Sequence, residues 1–165
     1  MKFDNIDELK KNGFTGFKTI KELWENKSAI PKIKGIYMVI NPNPNDNEFL
    51  KIGVGGHFKN RNPNVSLQEL KNNFVENSKV IYIGKAGSPT GKATLHSRIG
   101  QYLRFGQTKN VGHWGGRYIW QLKNYKNLII CWKTLPNKDP RIIEKELIHN
   151  FTIQFGKKPF ANLIR

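Results

Sequence analysis

Three runs of β-branched and apolar residues constrain this fold most: Ile33 to Ile40, Lys79 to Gly84 and Leu128 to Leu135. Each has strand length, and glycine, proline or asparagine signals bound them. The intervening segments carry helix signals. Thr94 can cap a helix from Leu95 to about Phe105, with Leu95, Ile99, Tyr102 and Leu103 on one face. Asp139-Pro140 starts a helix that runs to about Phe155 and stops at Gly156. Ser66-Leu67-Gln68-Glu69 has capping-box form and opens a helix to about Asn77. Two short helices are expected earlier, from Asp4 to about Asn12 and from Thr19 to Asn26, as a helical extension over residues 1–32. After the turn at Asn41 to Asn47, Phe49 to Val54 is expected to return as a strand. Few strands, separated by helices and hairpins, make a single domain of mixed α and β class over residues 1–165.

Charge narrows the partners. Lys and Arg number 28 against 12 acidic residues, a formal net charge of +16, while hydrophobic residues make up 38% and support a genuine core. A folded basic domain of this kind fits a polyanion, most often nucleic acid, with a merely soluble basic protein as the plain alternative. Charge says nothing about catalysis. Cys131 is the only cysteine, which excludes an internal disulfide framework and a multi-thiolate zinc site; within Leu128-Ile129-Ile130-Cys131-Trp132 it reads as a small buried apolar residue. His57, His96, His113 and His149 lack zinc-like spacing. No apolar run has the length of a membrane span, and Met1 to Asn5 contains no secretory apolar region. The expected setting is reducing, intracellular and cytoplasmic, with no membrane partner.

Two strings stand out against this background, Gly35-Ile36-Tyr37 and Tyr82-Ile83-Gly84, each a strand carrying one tyrosine. Lys85 follows the second directly; then come Arg98 on a helix, Glu144 on another, and Pro159-Phe160-Ala161-Asn162. This ordered set, from Gly35 to Asn162, resembles the GIY-YIG nuclease family. The resemblance implies a small central antiparallel β-sheet flanked by helices, here with a long insertion at residues 41–78 between the motif strands. It also implies an endonuclease that hydrolyses phosphodiester bonds, with double-stranded DNA as the substrate of choice and one divalent metal. By that resemblance Tyr37 and Tyr82 lie side by side near the metal, and Tyr37 by preference takes the proton of the attacking water. A free phenol has a pKa of about 10, so Lys85, Arg98 and the metal are expected to favour the phenolate. Lys85 can instead orient the water or contact phosphate. Arg98 would bind a non-bridging phosphate oxygen with its planar fork. Asn162 would steady the site by hydrogen bonding. Family members often carry histidine four residues after the arginine; here that position is Tyr102, which either donates a hydrogen bond or only packs.

Helix geometry bears separately on the metal ligand. At about 100° per residue, Ile143, Leu147, Ile148, Phe151 and Phe155 share one face and Glu144 falls within it, whereas Glu146 points nearly opposite. A carboxylate on a core-facing stripe requires a cation partner, a metal or an arginine. Glu144 is therefore chosen over Glu146, and one carboxylate completed by water and phosphate oxygens suits Mg²⁺ or Mn²⁺.

Val111 to Arg117 is glycine-rich and holds His113, Trp114 and Arg117, candidate DNA contacts with Trp114 as wedge or stacking ring; burial of Trp114 on the domain's own core is the equal alternative. Lys59 and Arg61 in the insertion are further candidate DNA contacts, against the plainer reading of a solvated loop. No appended recognition domain is seen, so specificity is expected from the insertion, the N-terminal helices or the glycine-rich loop. Stand-alone restriction enzymes of the family are built this way, which suggests a restriction or phage-defence role and leaves room for a homodimer. The rival readings are a catalytically silent nucleic-acid-binding module and an RNA-directed nuclease.

Overall fold

The computed structural model describes residues 1–163. Its centre is a four-stranded sheet of β1 (Thr15–Thr19), β2 (Gly35–Ile40), β3 (Val80–Ala86) and β4 (Ile129–Thr134), in the order β1-β4-β2-β3 with every neighbour antiparallel. All six residues of β2 are buried, as a central strand covered on both faces requires. Pairing sets Tyr37 opposite Gly84 on one side and Trp132 on the other, and Val39 opposite Tyr82 and Ile130. Because side chains alternate along a strand, this register sorts the core into two clusters. Ile36, Met38, Ile40, Ile83 and Cys131 belong to one; Tyr37, Val39, Tyr82, Ile130 and Trp132 belong to the other.

Helices α1 (Ile6–Lys11) and α5 (Pro140–Phe155) contribute Leu9 and Phe151 to the first cluster. Helices α2 (Ile20–Glu25), α3 (Leu67–Asn73) and α4 (Leu95–Phe105), with the 3-10 segment Trp114–Gln121, cover the second. The side chains of Asn5, Thr19, Ser66, Thr94 and Asp139 cap their helices, and Gly156 ends α5 with a left-handed φ of 75°. Cys131 is fully buried, and its burial holds the thiol well above its ordinary range. Among the described residues no helix is long and apolar enough to cross a membrane.

Three local expectations change. The N-terminal stretch is not wholly helical, since β1 joins the sheet edge; a register shift between Thr15 and Lys18, with Gly16 and Phe17 at φ of 93° and 52°, breaks the alternation that would have revealed it. Phe49 to Val54 forms no strand. It keeps one bridge, Phe49 to Leu122, and is tied instead to buried Gln121, whose side-chain Nε2 donates to the carbonyls of Leu50 and Val65. Helix α3 stops at Asn73, because Phe74 leaves the helix to bury its ring against Phe49 and Phe160. The Ser66 hydroxyl accepts from the Glu69 amide as foreseen, while the Glu69 carboxylate accepts from the Tyr118 hydroxyl at 2.6 Å.

Candidate active site

Strand β3 is a sheet edge, and α4 and α5 both pack on it. A cleft of about 670 Å³ opens there, lined by Tyr37, Tyr82, Lys85, Arg98, Glu144 and Asn162. The structure thus gathers these six motif residues from two strands, two helices and the C-terminal segment. Glu146 is exposed and lines none of it.

The motif glycines are steric. A β-carbon on Gly84 would lie 2.5 Å from Cζ and 2.7 Å from the hydroxyl oxygen of Tyr37, so only glycine lets the Tyr37 ring cross its neighbour strand. A β-carbon on Gly35 would overlap the Lys133 carbonyl and lie 2.9 Å from Leu95 Cδ1. With that room the Tyr37 and Tyr82 rings meet edge to face, 5.9 Å between centroids.

Tyr37 is fully buried, and its hydroxyl lies 2.7 Å from His113 Nε2. Burial pushes the phenol well above its ordinary value, the neighbouring Tyr82 adds to this, and Arg98 opposes it. The expectation that nearby cations would favour the phenolate is therefore corrected for the protein's own groups: desolvation outweighs Arg98. His113 is corrected too. It is fully buried rather than at a DNA-facing surface, and burial, then the Arg98 charge, holds its imidazole well below the ordinary range and hence neutral. Its Nδ1 is buried without a hydrogen-bond partner.

The glycine-rich loop is clamped by the site. Tyr37 holds His113, Arg98 Nη1 donates to the Gly112 carbonyl at 3.1 Å, and the Tyr102 hydroxyl donates to the Gly116 carbonyl at 2.6 Å. Of the two alternatives for Tyr102 the structure shows the donor, and its ring also stacks on Tyr82 at 5.4 Å and meets His113 at 4.0 Å. Burial pushes its phenol well above the ordinary value as well. Arg98 also donates to Gln101 Oε1 at 3.0 Å, which fixes its fork at the cleft.

Asn162 completes the sheet edge. Its Oδ1 accepts from the Ile83 amide at 2.9 Å and its Nδ2 donates to the Ile83 carbonyl at 2.8 Å, as a further strand would; the Ala161 amide donates to the Ile81 carbonyl at 2.8 Å. Buried Phe160 anchors this segment beside Phe49, Phe74 and Tyr118. The tyrosine-bearing strand is held on both edges.

Charge in the cleft is one-sided. Among the described residues Lys85, Lys92, Arg98, Lys145 and Lys158 line it with a single acid, Glu144. Lys92, Lys145 and Lys158 escaped the sequence reading; only the basic count of the chain hinted at them. Among the described residues no three His, Cys, Asp or Glu side chains gather as a metal cage. One carboxylate among oxygen-bearing tyrosines and an amide, in a cleft with room for water, still fits a hard cation that keeps much of its hydration.

Trp114, Arg117 and Arg61 lie beside this cleft. Both guanidiniums sit over the Trp114 ring, at 4.5 Å for Arg61 and 4.6 Å for Arg117, and Trp114 packs on the core, its ring 6.4 Å from that of Phe105. Lys59 is exposed, with its ammonium over the Phe58 ring at 5.3 Å. Comparison of the chain with protein families, with curated proteins and with solved structures finds no match in any of the three.

Proposed function

We propose that this protein is a metal-dependent endonuclease that hydrolyses DNA phosphodiester bonds. The observation that carries the reading is the cleft itself: five cations, one carboxylate and two tyrosines converge where a polyanion can enter. The resemblance to GIY-YIG nucleases supports it, since Tyr37, Tyr82, Lys85, Arg98, Glu144 and Asn162 of the motif set line that cleft.

Arg98, oriented by Gln101 and Gly112, would hold a non-bridging phosphate oxygen with its remaining N–H groups. Lys85 adds charge at the same phosphate or orients the water. A buried neutral phenol is a poor base alone, but Tyr37 is not alone. The hydrogen bond to His113 at 2.7 Å holds its oxygen in place, and as the water oxygen bonds to phosphorus the water's proton would pass to the Tyr37 oxygen while the Tyr37 proton leaves to a cleft water, the imidazole staying neutral throughout. The P–O bond breaks on the far side, and the leaving oxygen takes its proton from a cleft water. Glu144 would hold a divalent cation, Mg²⁺ or Mn²⁺, which when bound relieves charge on the phosphate and leaving oxygens. Asn162 keeps β3, and so Tyr82, in register. An intracellular restriction-type role suits the insertion, which brings Arg61 over Trp114 beside the cleft.

The test is incubation of purified protein with supercoiled plasmid and with a structured RNA, in Mg²⁺, in Mn²⁺ and in chelator. Nicked and linear DNA with metal only is expected. Tight DNA binding without cleavage under any metal would favour the silent binding module, and cutting confined to RNA would reassign the substrate.

A further inference from the structure

The hollow next to the cleft is lined by Trp114, Arg117 and Glu69, and it shares Gly115 and Leu163 with the cleft wall. Surface bound in the cleft can therefore continue across it. Two guanidiniums from distant parts of the chain converge on its indole, Arg61 from the insertion and Arg117 from the 3-10 segment. Stacking uses only the flat face of a guanidinium and leaves its N–H edge for other partners.

Those partners are scarce. Among the described residues neither arginine forms an ion pair. Arg117 makes one long bond, Nη1 to the Trp114 carbonyl at 3.4 Å, and its Nε is buried without an acceptor. Glu69 attracts Arg117 but gives its Oε1 to the Tyr118 hydroxyl at 2.6 Å. Burial, and less strongly the Arg61 charge, act against the Arg117 charge, so two guanidiniums are held close while the Arg117 Nε lacks an acceptor. The chain takes an uncommon backbone path to reach this state. Lys59 and Asn60 are both left-handed, with φ of 54° and 59°, and they immediately precede Arg61.

We infer that Arg61 and Arg117, stacked on Trp114, form a clamp for a backbone phosphate of DNA leaving the active cleft. This rests on the nuclease reading and gives the bound strand a direction, from the Glu144 and Arg98 cleft past Gly115 to the insertion. Trp114 is then the platform that fixes the two forks, not a wedge between bases. A phosphate answers both charges and the unmet N–H groups at once, and it carries no sequence information, so the clamp sets register while leaving base readout to other residues.

Fluorescence anisotropy of a labelled duplex, with chelator present to prevent cutting, tests the clamp across a salt series. Arg61→Gln and Arg117→Gln should each weaken binding roughly tenfold to a hundredfold and flatten the slope of log affinity against log salt by about 0.9. Arg61→Lys should keep the slope, since the charge remains. Lys11→Gln, an exposed charge on α1 across the sheet, is the control. Arg61 is exposed, so its variants should fold even if Arg117→Gln does not. If wild type binds DNA and the arginine variants match the Lys11→Gln slope and affinity, the stack is only structural and the clamp is wrong, while the nuclease reading stands. If wild type does not bind DNA at all, the nuclease reading falls and takes the clamp with it.

Discussion

Tyr37→Phe is a stability experiment as much as a catalytic one. The ring is retained, but the hydroxyl that meets His113 Nε2 at 2.7 Å is lost in a fully buried place. Because His113 Nδ1 already lacks a partner, the variant leaves the imidazole with no side-chain hydrogen bond at either nitrogen. An unsatisfied buried group costs about 1–3 kcal/mol. For a chain of this size that corresponds to a Tm lower by roughly 2–12 °C. His113→Leu should cost less, since Tyr82 remains a hydrogen-bond partner for the Tyr37 hydroxyl. In the double variant both polar partners are gone, so the loss should fall short of the sum of the singles by about 1–2 kcal/mol. Urea denaturation of the four proteins measures this cycle. Single-turnover cleavage well below each Tm supplies the catalytic arm. Tyr37→Phe should slow cutting at least about a hundredfold, and His113→Leu should add little once Tyr37 is gone. Stabilities that add to within about 0.5 kcal/mol would refute the reasoning, because independent sites behave that way.

Three further outcomes follow from the same geometry. Gly84→Ala should destabilise by about 1–3 kcal/mol and reduce cleavage, because its β-carbon would press on the Tyr37 ring; a wild-type crystal position for Tyr37 in that variant would contradict it. Asn162→Leu removes both hydrogen bonds to Ile83, so the Ile83 amide should exchange with deuterium much faster while amides of central β2 change little. The third concerns pH. His113 is held neutral when folded, so the unfolded chain takes up the proton first; its contribution is full above about 6.5 and is lost as pH falls from there toward the lower folded-state value. Chemical denaturation from pH 8 to 5 should show that loss in wild type and a flatter profile in His113→Leu.

Local signals exposed much of this fold. Thr94, Asp139 and Gly156 mark helix ends that the structure reproduces, because capping is decided within a few residues. Helical spacing alone separates Glu144 from Glu146, and the structure sets Glu144, not Glu146, in the cleft wall. What escaped depends on contacts across the chain. His113 lies 76 positions from Tyr37, and a histidine among glycines and tryptophan looks like a surface loop until packing buries it. The β1 strand is masked by two left-handed residues, and Phe74 ends α3 early for the sake of a distant aromatic cluster. Why the motif glycines are glycines also appears only in three dimensions, where Gly84 faces the Tyr37 ring.

The central claim is that Glu144 serves a metal-dependent cut in the basic cleft, and one comparison tests it most directly. Single-turnover cleavage of duplex DNA with Mg²⁺ or Mn²⁺ is measured for wild type, Glu144→Gln and Glu146→Gln, with DNA affinity measured alongside. Glu144→Gln keeps the side chain's shape but not its charge, and should slow cutting by at least roughly a hundredfold, the scale of one lost charge-stabilising group. Its DNA affinity and folding should stay near wild type, and Glu146→Gln should cut normally. Wild-type cutting by Glu144→Gln, with the loss falling on Glu146→Gln or on neither, would contradict the account.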